Sequence, residues 1–138
     1  MAQLVKGTTI NGYQAHTTDI HKHEVHLPLA GFYSMILTYY DEVYGTDFLF
    51  TPANYVNYNF YFEVNGKSND GYNVDFQLYN KTDALSIAVV STTSNVYVRL
   101  RSAVLTMPGA EKTLCLRMQA GTDTAAICTI ARLVLMPA

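Results

Sequence analysis

From Tyr55 to Val64 the chain alternates, with Val56, Tyr58, Phe60, Phe62 and Val64 on one parity and Asn57, Asn59, Tyr61 and Glu63 on the other. A period of two is what a strand with one buried and one wet face requires. After the turn-rich NGKSNDG, Tyr72, Val74, Phe76 and Leu78 alternate with Asn73, Asp75, Gln77 and Tyr79. This predicts a second strand, joined to the first as a hairpin with a longer loop. Further runs at HEVHLPL, FYSMILTYY, ALSIAVV, NVYVRLRSAVL, KTLCLRM and AAICTIARLVLM are each bounded by Gly, Pro, Asn, Asp or Ser. About eight short strands without a helical stretch predict an all-β fold, an antiparallel sandwich or barrel.

A tight hairpin is also expected in KTLCLRMQAGTDTAAICTIARL, where Gly121-Thr122 has the Gly-first form of a type II′ turn. Such a turn sets Leu116 against Ile127 and Cys115 against Cys128, at a non-hydrogen-bonded pair whose Cα atoms stand about 4.5 Å apart. The two sulfurs are then neighbours. They read either as small apolar side chains packed across the strands or as a disulfide formed after release into an oxidising medium. Nothing local would lower either thiol's pKa for catalysis.

Composition narrows the partners. The 138 residues suit one domain with a core of its own, read as an N-terminal arm over 1–23 and a single β domain over 24–138. With 49% hydrophobic and only 14% charged residues, some of the surface is expected to be covered by something else. A net charge of -2 with no basic stripe gives no reason to expect nucleic acid. No apolar run approaches the roughly 18 residues that span a bilayer. The opening MAQLVKGTTINGYQ lacks the charged and apolar regions of a signal peptide, so use without secretion is expected.

Three stretches carry a family resemblance. HLPLAGFYSMILTYY, FYFEVNGKSNDGYNVDF and VLTMPGAEKTLCLRMQAGTDTAAICTIARLVL resemble the early, middle and closing strands of galactose-binding-like jelly rolls, including many carbohydrate-binding modules, over roughly residues 24 to 135. The resemblance implies a β-sandwich jelly roll of about eight strands. Such modules commonly stack sugars on tryptophan, which this chain lacks; tyrosine offers a comparable flat ring with a polar tip. Tumour-necrosis-factor-like trimers and small virion proteins share the outline, so the fold does not decide the function.

All four histidines fall in HTTDIHKHEVH, residues 16 to 26. On a strand His21 and His23 project to one face while Glu24 and His26 project to the other, too few ligands on either face for a tetrahedral site. Convergence of three copies on a symmetry axis would make His21 and His23 metal ligands, and the pair resembles the iron-binding pairs of trimeric phage fibres. Otherwise they are polar residues of an exposed arm, and no cofactor is implied. No Gly-x-Ser-x-Gly elbow, phosphate-binding loop or His-Glu-x-x-His helix is present, so no enzyme is expected. NGKSNDG has oxygen ligands for calcium but not the EF-hand spacing, and reads as a turn.

The polar face of the central hairpin, Asn57, Asn59, Tyr61, Asn73, Gln77 and Tyr79, mixes amides and rings in a way that suits a glycan or a neighbouring subunit. Residues 41 to 83 hold seven acids against two lysines, while 99 to 132 hold Arg99, Arg101, Arg117, Arg132 and one lysine against two acids. That asymmetry permits head-to-tail contacts between copies, unless folding joins the halves within one subunit. The main functional reading is therefore a structural virion protein, a capsid decoration, cement or tail-accessory protein that forms a symmetric homo-oligomer such as a trimer. It would sit in the virion on a major capsid or tail protein. The alternative is a carbohydrate-binding module or lectin using the Tyr/Asn-rich face.

Overall fold

A computed structural model describes residues 23–138 together with the strands β1 (Thr9–Ile10) and β2 (Tyr13–Gln14), which pair with each other. The remainder of the expected arm, His21 included, lies outside the described residues. Ten further strands follow: β3 (Val25–Ala30), β4 (Tyr33–Met35), β5 (Asp41–Glu42), β6 (Phe48–Phe50), β7 (Tyr58–Ser68), β8 (Val74–Asn80), β9 (Leu85–Thr92), β10 (Val98–Arg101), β11 (Lys112–Gln119) and β12 (Ala126–Pro137). A single 3-10 turn at Pro52–Asn54 precedes β7.

These ten strands form an antiparallel sandwich. The first sheet has the order β10-β7-β12-β3 and the second β5-β11-β8-β9. Each has a divided edge: β4 and β3 line up along β12, and β6 and β5 along β11. Thr46 fills the gap between β5 and β6, its hydroxyl donating to Val43 O at 2.8 Å and accepting from Leu116 N at 3.1 Å. Such a side chain stands in for a missing ladder partner, since a buried amide left unmatched is costly.

The alternation read from the sequence is realised on both inner faces. Phe62 and Val64 of β7, Val74, Phe76 and Leu78 of β8, Leu114, Leu116 and Met118 of β11, and Leu133 and Leu135 of β12 are fully buried. Burying each such side chain contributes about 1.5–3 kcal/mol. The sheets approach closely at Gly66, where a Cβ would stand 2.7 Å from Phe76 Cζ; glycine is there for space.

Two expected pairings are corrected. β7 and β8 are not a hairpin: β7 pairs with β10 and β12, whereas β8 pairs with β11 and β9. Asn65 to Ser68, expected in the turn, continue β7. The chain crosses to the other sheet through Asn69 to Asn73, where Gly71 takes φ +84 and Asn69 N donates to Ala125 O. β11 and β12 likewise lie in opposite sheets. Gly121 does not have the positive φ of a II′ turn; the positive φ falls on Asp123, at +58. Gly121 is needed because a Cβ would meet Asn73 O at 2.5 Å.

The cysteines are consequently apart and free. Cys128 belongs to the core, while Cys115 sits on the outer side of the second sheet opposite Tyr79. Burial pushes both thiols up, to about 12 for Cys115 and about 11 for Cys128.

Candidate ligand-binding face

Because β7 and β8 occupy different sheets, the expected Tyr/Asn face is divided between the two outer surfaces of the sandwich. Asn59 and Tyr61 lie on the first sheet beside Met136 and Val134, and Asn57 sits just before β7 with φ +66, its carbonyl accepting from Ala138 N. Asn73 precedes β8, and Gln77 and Tyr79 lie outward on it.

The first sheet's outer surface is organised around Glu63, whose side chain is only 2% exposed. Its Oε2 accepts from Arg101 Nε at 2.8 Å and Nη2 at 2.7 Å, and its Oε1 from Arg132 Nε at 2.8 Å and also from Arg132 Nη2. Arg99 Nε reaches Oε2 at 3.4 Å. Burial raises the Glu63 pKa, but the hydrogen bonds and charges of Arg132 and Arg101 prevail and hold it below its ordinary value. The charge asymmetry along the sequence is thus joined within one subunit here: Arg101 and Arg132 are committed to Glu63 and are not free for a neighbouring copy.

The second sheet's outer surface is different. Along β8 and its flanks, Asn73, Asp75, Gln77, Tyr79 and Lys81 share one side; β11 sets Gln119 against Asp75, Arg117 against Gln77 and Cys115 against Tyr79. The Arg117 guanidinium lies 4.2 Å from the Tyr79 ring centroid and 5.6 Å from that of Tyr40, and its Nη2 donates to Tyr40 O at 3.1 Å. Rings and a carbonyl position this cation. Burial and the charge of Asp75 raise the pKa of the Tyr40 phenol above its ordinary value, against an opposing effect of Arg117.

At the centre sits Gln77, 6% exposed. Among the described residues no donor reaches its buried Oε1. A recess opens on each side. One, of about 500 Å³, is lined by Thr38, Tyr72, Asn73, Asp75, Gln119 and the 120–123 loop. The other, of about 240 Å³, is lined by Asp41, Glu42, Tyr79, Lys81 and Arg117. The larger falls in the range of small-ligand clefts.

Groups able to ligate a metal also gather on this surface. Glu42, Asp47 and Cys115 hold ligand atoms within 4.8 Å of one another. Lys81 Nζ, however, lies 2.7 Å from Glu42 and 2.8 Å from Asp47, so an ammonium already balances those carboxylates, and the protonated thiol is a poor ligand. The set does not fit an ion. His23 is exposed at the edge of the described residues, and His26 pairs with Glu24.

The sequence marked Asn73, Gln77 and Tyr79 for this face but missed Tyr40, Tyr72, Asp123 and Gln119. The alternation of β11 already groups Arg117 with Gln119; what it cannot supply is the neighbouring strand. Tyr40 lies in an irregular stretch of FYSMILTYY, of which only Tyr33–Met35 forms a strand, β4, and no periodic signal marks it.

No protein-family model matches the chain, and no curated protein matches it in sequence. Among solved structures, the chain is similar to the CBM36-1 domain of a multidomain xylanase from the hindgut metagenome of Trinervitermes trinervoides, with a TM-score of 0.52 at 10% identity over 84% of this chain and 98% of that one. A carbohydrate-binding module CBM36 in complex with calcium and xylotriose matches with a TM-score of 0.48 at 9% identity, over 80% of this chain and 97% of that one. The fold is therefore the β-sandwich jelly roll used by carbohydrate-binding modules, as the sequence resemblance implied, built from ten strands in place of about eight.

Proposed function

We propose that this chain is a carbohydrate-binding module whose glycan lies along the outer face of the second sheet. The observation that carries the reading is the pair of recesses along this face, one walled by Tyr72, Asn73, Asp75 and Gln119 and the other by Tyr79, Asp41, Glu42 and Arg117. Aromatic rings beside convergent amides are the usual means of holding a polar ring with apolar faces, and the fold likeness to a carbohydrate-binding module supports the same reading.

The virion role expected from composition has no comparable support. It was drawn from the apolar, weakly charged composition, the lack of a signal peptide and the absence of a catalytic motif, none of which singles out a virion; most of the arm lies outside the described residues, and Arg101 and Arg132 of the charge asymmetry pair with Glu63 within the subunit.

Affinity electrophoresis in gels containing soluble polysaccharides tests the proposal. Retention by at least one polysaccharide is expected. Tyr79→Ala should weaken it at least about tenfold, or 1.4 kcal/mol, whereas Tyr61→Ala, on the opposite surface, should leave it unchanged. No retention by any polysaccharide, or equal retention of a folded Tyr79→Ala protein, overturns the reading.

A further inference from the structure

Resting on that glycan-binding reading, we infer that the face selects its sugar by charge and takes a cationic amino-sugar chain in preference to a neutral one, and a neutral one in preference to an acidic one.

The inference comes from which groups the two recesses offer. The larger contains Asp75 and Asp123 and, among the described residues, no base. The smaller contains Asp41 and Glu42 with Lys81 and Arg117, and Lys81 is shared with Asp47. Four carboxylates therefore line the recesses against two cations, and both cations are already engaged, Lys81 with Glu42 and Asp47 and Arg117 with the Tyr40 carbonyl and the Tyr79 ring. An acceptor-rich, negatively charged face complements hydroxyls and ammonium groups and repels uronate or sulfate.

The larger recess is the natural seat of the ammonium. Asp75 Oδ1 accepts from Asn73 Nδ2 at 3.0 Å and also from Ser91 Oγ, so the carboxylate is fixed in place, while among the described residues no hydrogen bond engages its second oxygen. The Tyr72 ring, 58% exposed on the wall of the same recess, adds a face to which a cation is attracted.

Isothermal titration with oligomers of equal length tests this: glucosamine, N-acetylglucosamine and galacturonic acid, below neutral pH so that the amine is charged. At low salt the glucosamine oligomer should bind about tenfold more tightly than the N-acetylated one, the galacturonic oligomer should bind least, and the difference should shrink as salt screens it. In the Asp75→Asn, Asp123→Asn double variant, the ratio between the first two should fall toward one. Both substitutions preserve the fold: an amide at position 75 keeps an oxygen to accept the same two hydrogen bonds, and asparagine tolerates the positive φ of position 123. If oligomers bind in a Tyr79-dependent way but the ratio is already one, or the acidic chain wins, or the ratio survives the double variant, the charge inference fails and the binding face stands. If no oligomer binds, both fail together.

Discussion

Replacing Gln77 with methionine should make the protein more stable and leave its binding face intact. Gln77 is 6% exposed, and its Oε1 has no donor among the described residues. Removing such a group recovers a desolvation cost of about 1–3 kcal/mol. Methionine has the same unbranched length, fills the space with a thioether and asks for no strong partner. It would sit between Arg117 and Val89 on the neighbouring strands. Losing the amide's remaining interactions offsets part of the gain, so the lower end, about 1 kcal/mol, is expected. For a chain of this size that corresponds to a rise in Tm of about 3–5 °C. Thermal melts followed by circular dichroism, with urea midpoints alongside, read the stability; titration with the retained polysaccharide reads the function. Ligand should raise the Tm of both proteins alike, because stabilisation by mass action follows affinity and the buried oxygen offers a ligand no surface. A Tm at or below that of the wild type would refute the claim that the oxygen is unmatched. A higher Tm with markedly diminished affinity would show that a ligand reaches this oxygen after all.

Two further outcomes follow from the packing and the charges. Gly66→Ala places a Cβ 2.7 Å from Phe76 Cζ and 3.0 Å from Ile127 O; it should destabilise by about 1–3 kcal/mol by overpacking, and Phe76→Leu in the same chain should recover part of the loss, as a double-mutant cycle of urea midpoints would report. Glu63 has its pKa lowered on folding from 4.5, so its contribution is complete above about that pH and disappears as pH falls through the lower folded value. Glu63→Gln should cost about 2–4 kcal/mol at neutral pH, less than a fully buried pair because the arginines reach water. It should also flatten the acid limb of stability against pH, and an unchanged limb would show that other carboxylates govern it.

The alternation in NFYFEV and NVDFQLY identified two strands and the apolar residues each turns inward, because the pleat has a period of two, whereas Val56 and Tyr72, on the same parity, lie outside β7 and β8 and are exposed. Phe62, Val64, Phe76 and Leu78 are buried as that pattern requires. It was likewise sufficient to give a β-sandwich, since short alternating strands without helices bury their apolar faces most readily against one another. Which strands lie side by side was not legible. Alternation says which face of a strand is buried and nothing about its neighbour; two adjacent segments bury the same residues as a hairpin or as facing strands of opposite sheets. The choice was made by contacts distant in sequence, such as Gly66 against Phe76 and Gly121 against Asn73 O. The cysteine pair was lost for this reason, and the Tyr/Asn face was divided by it. Gln77 and Tyr79 share the alternation of β8, but Tyr40 and Arg117 are brought to them by pairing between distant strands and loops with no pattern in common, so the assembled chemistry of that surface was decided by the tertiary structure.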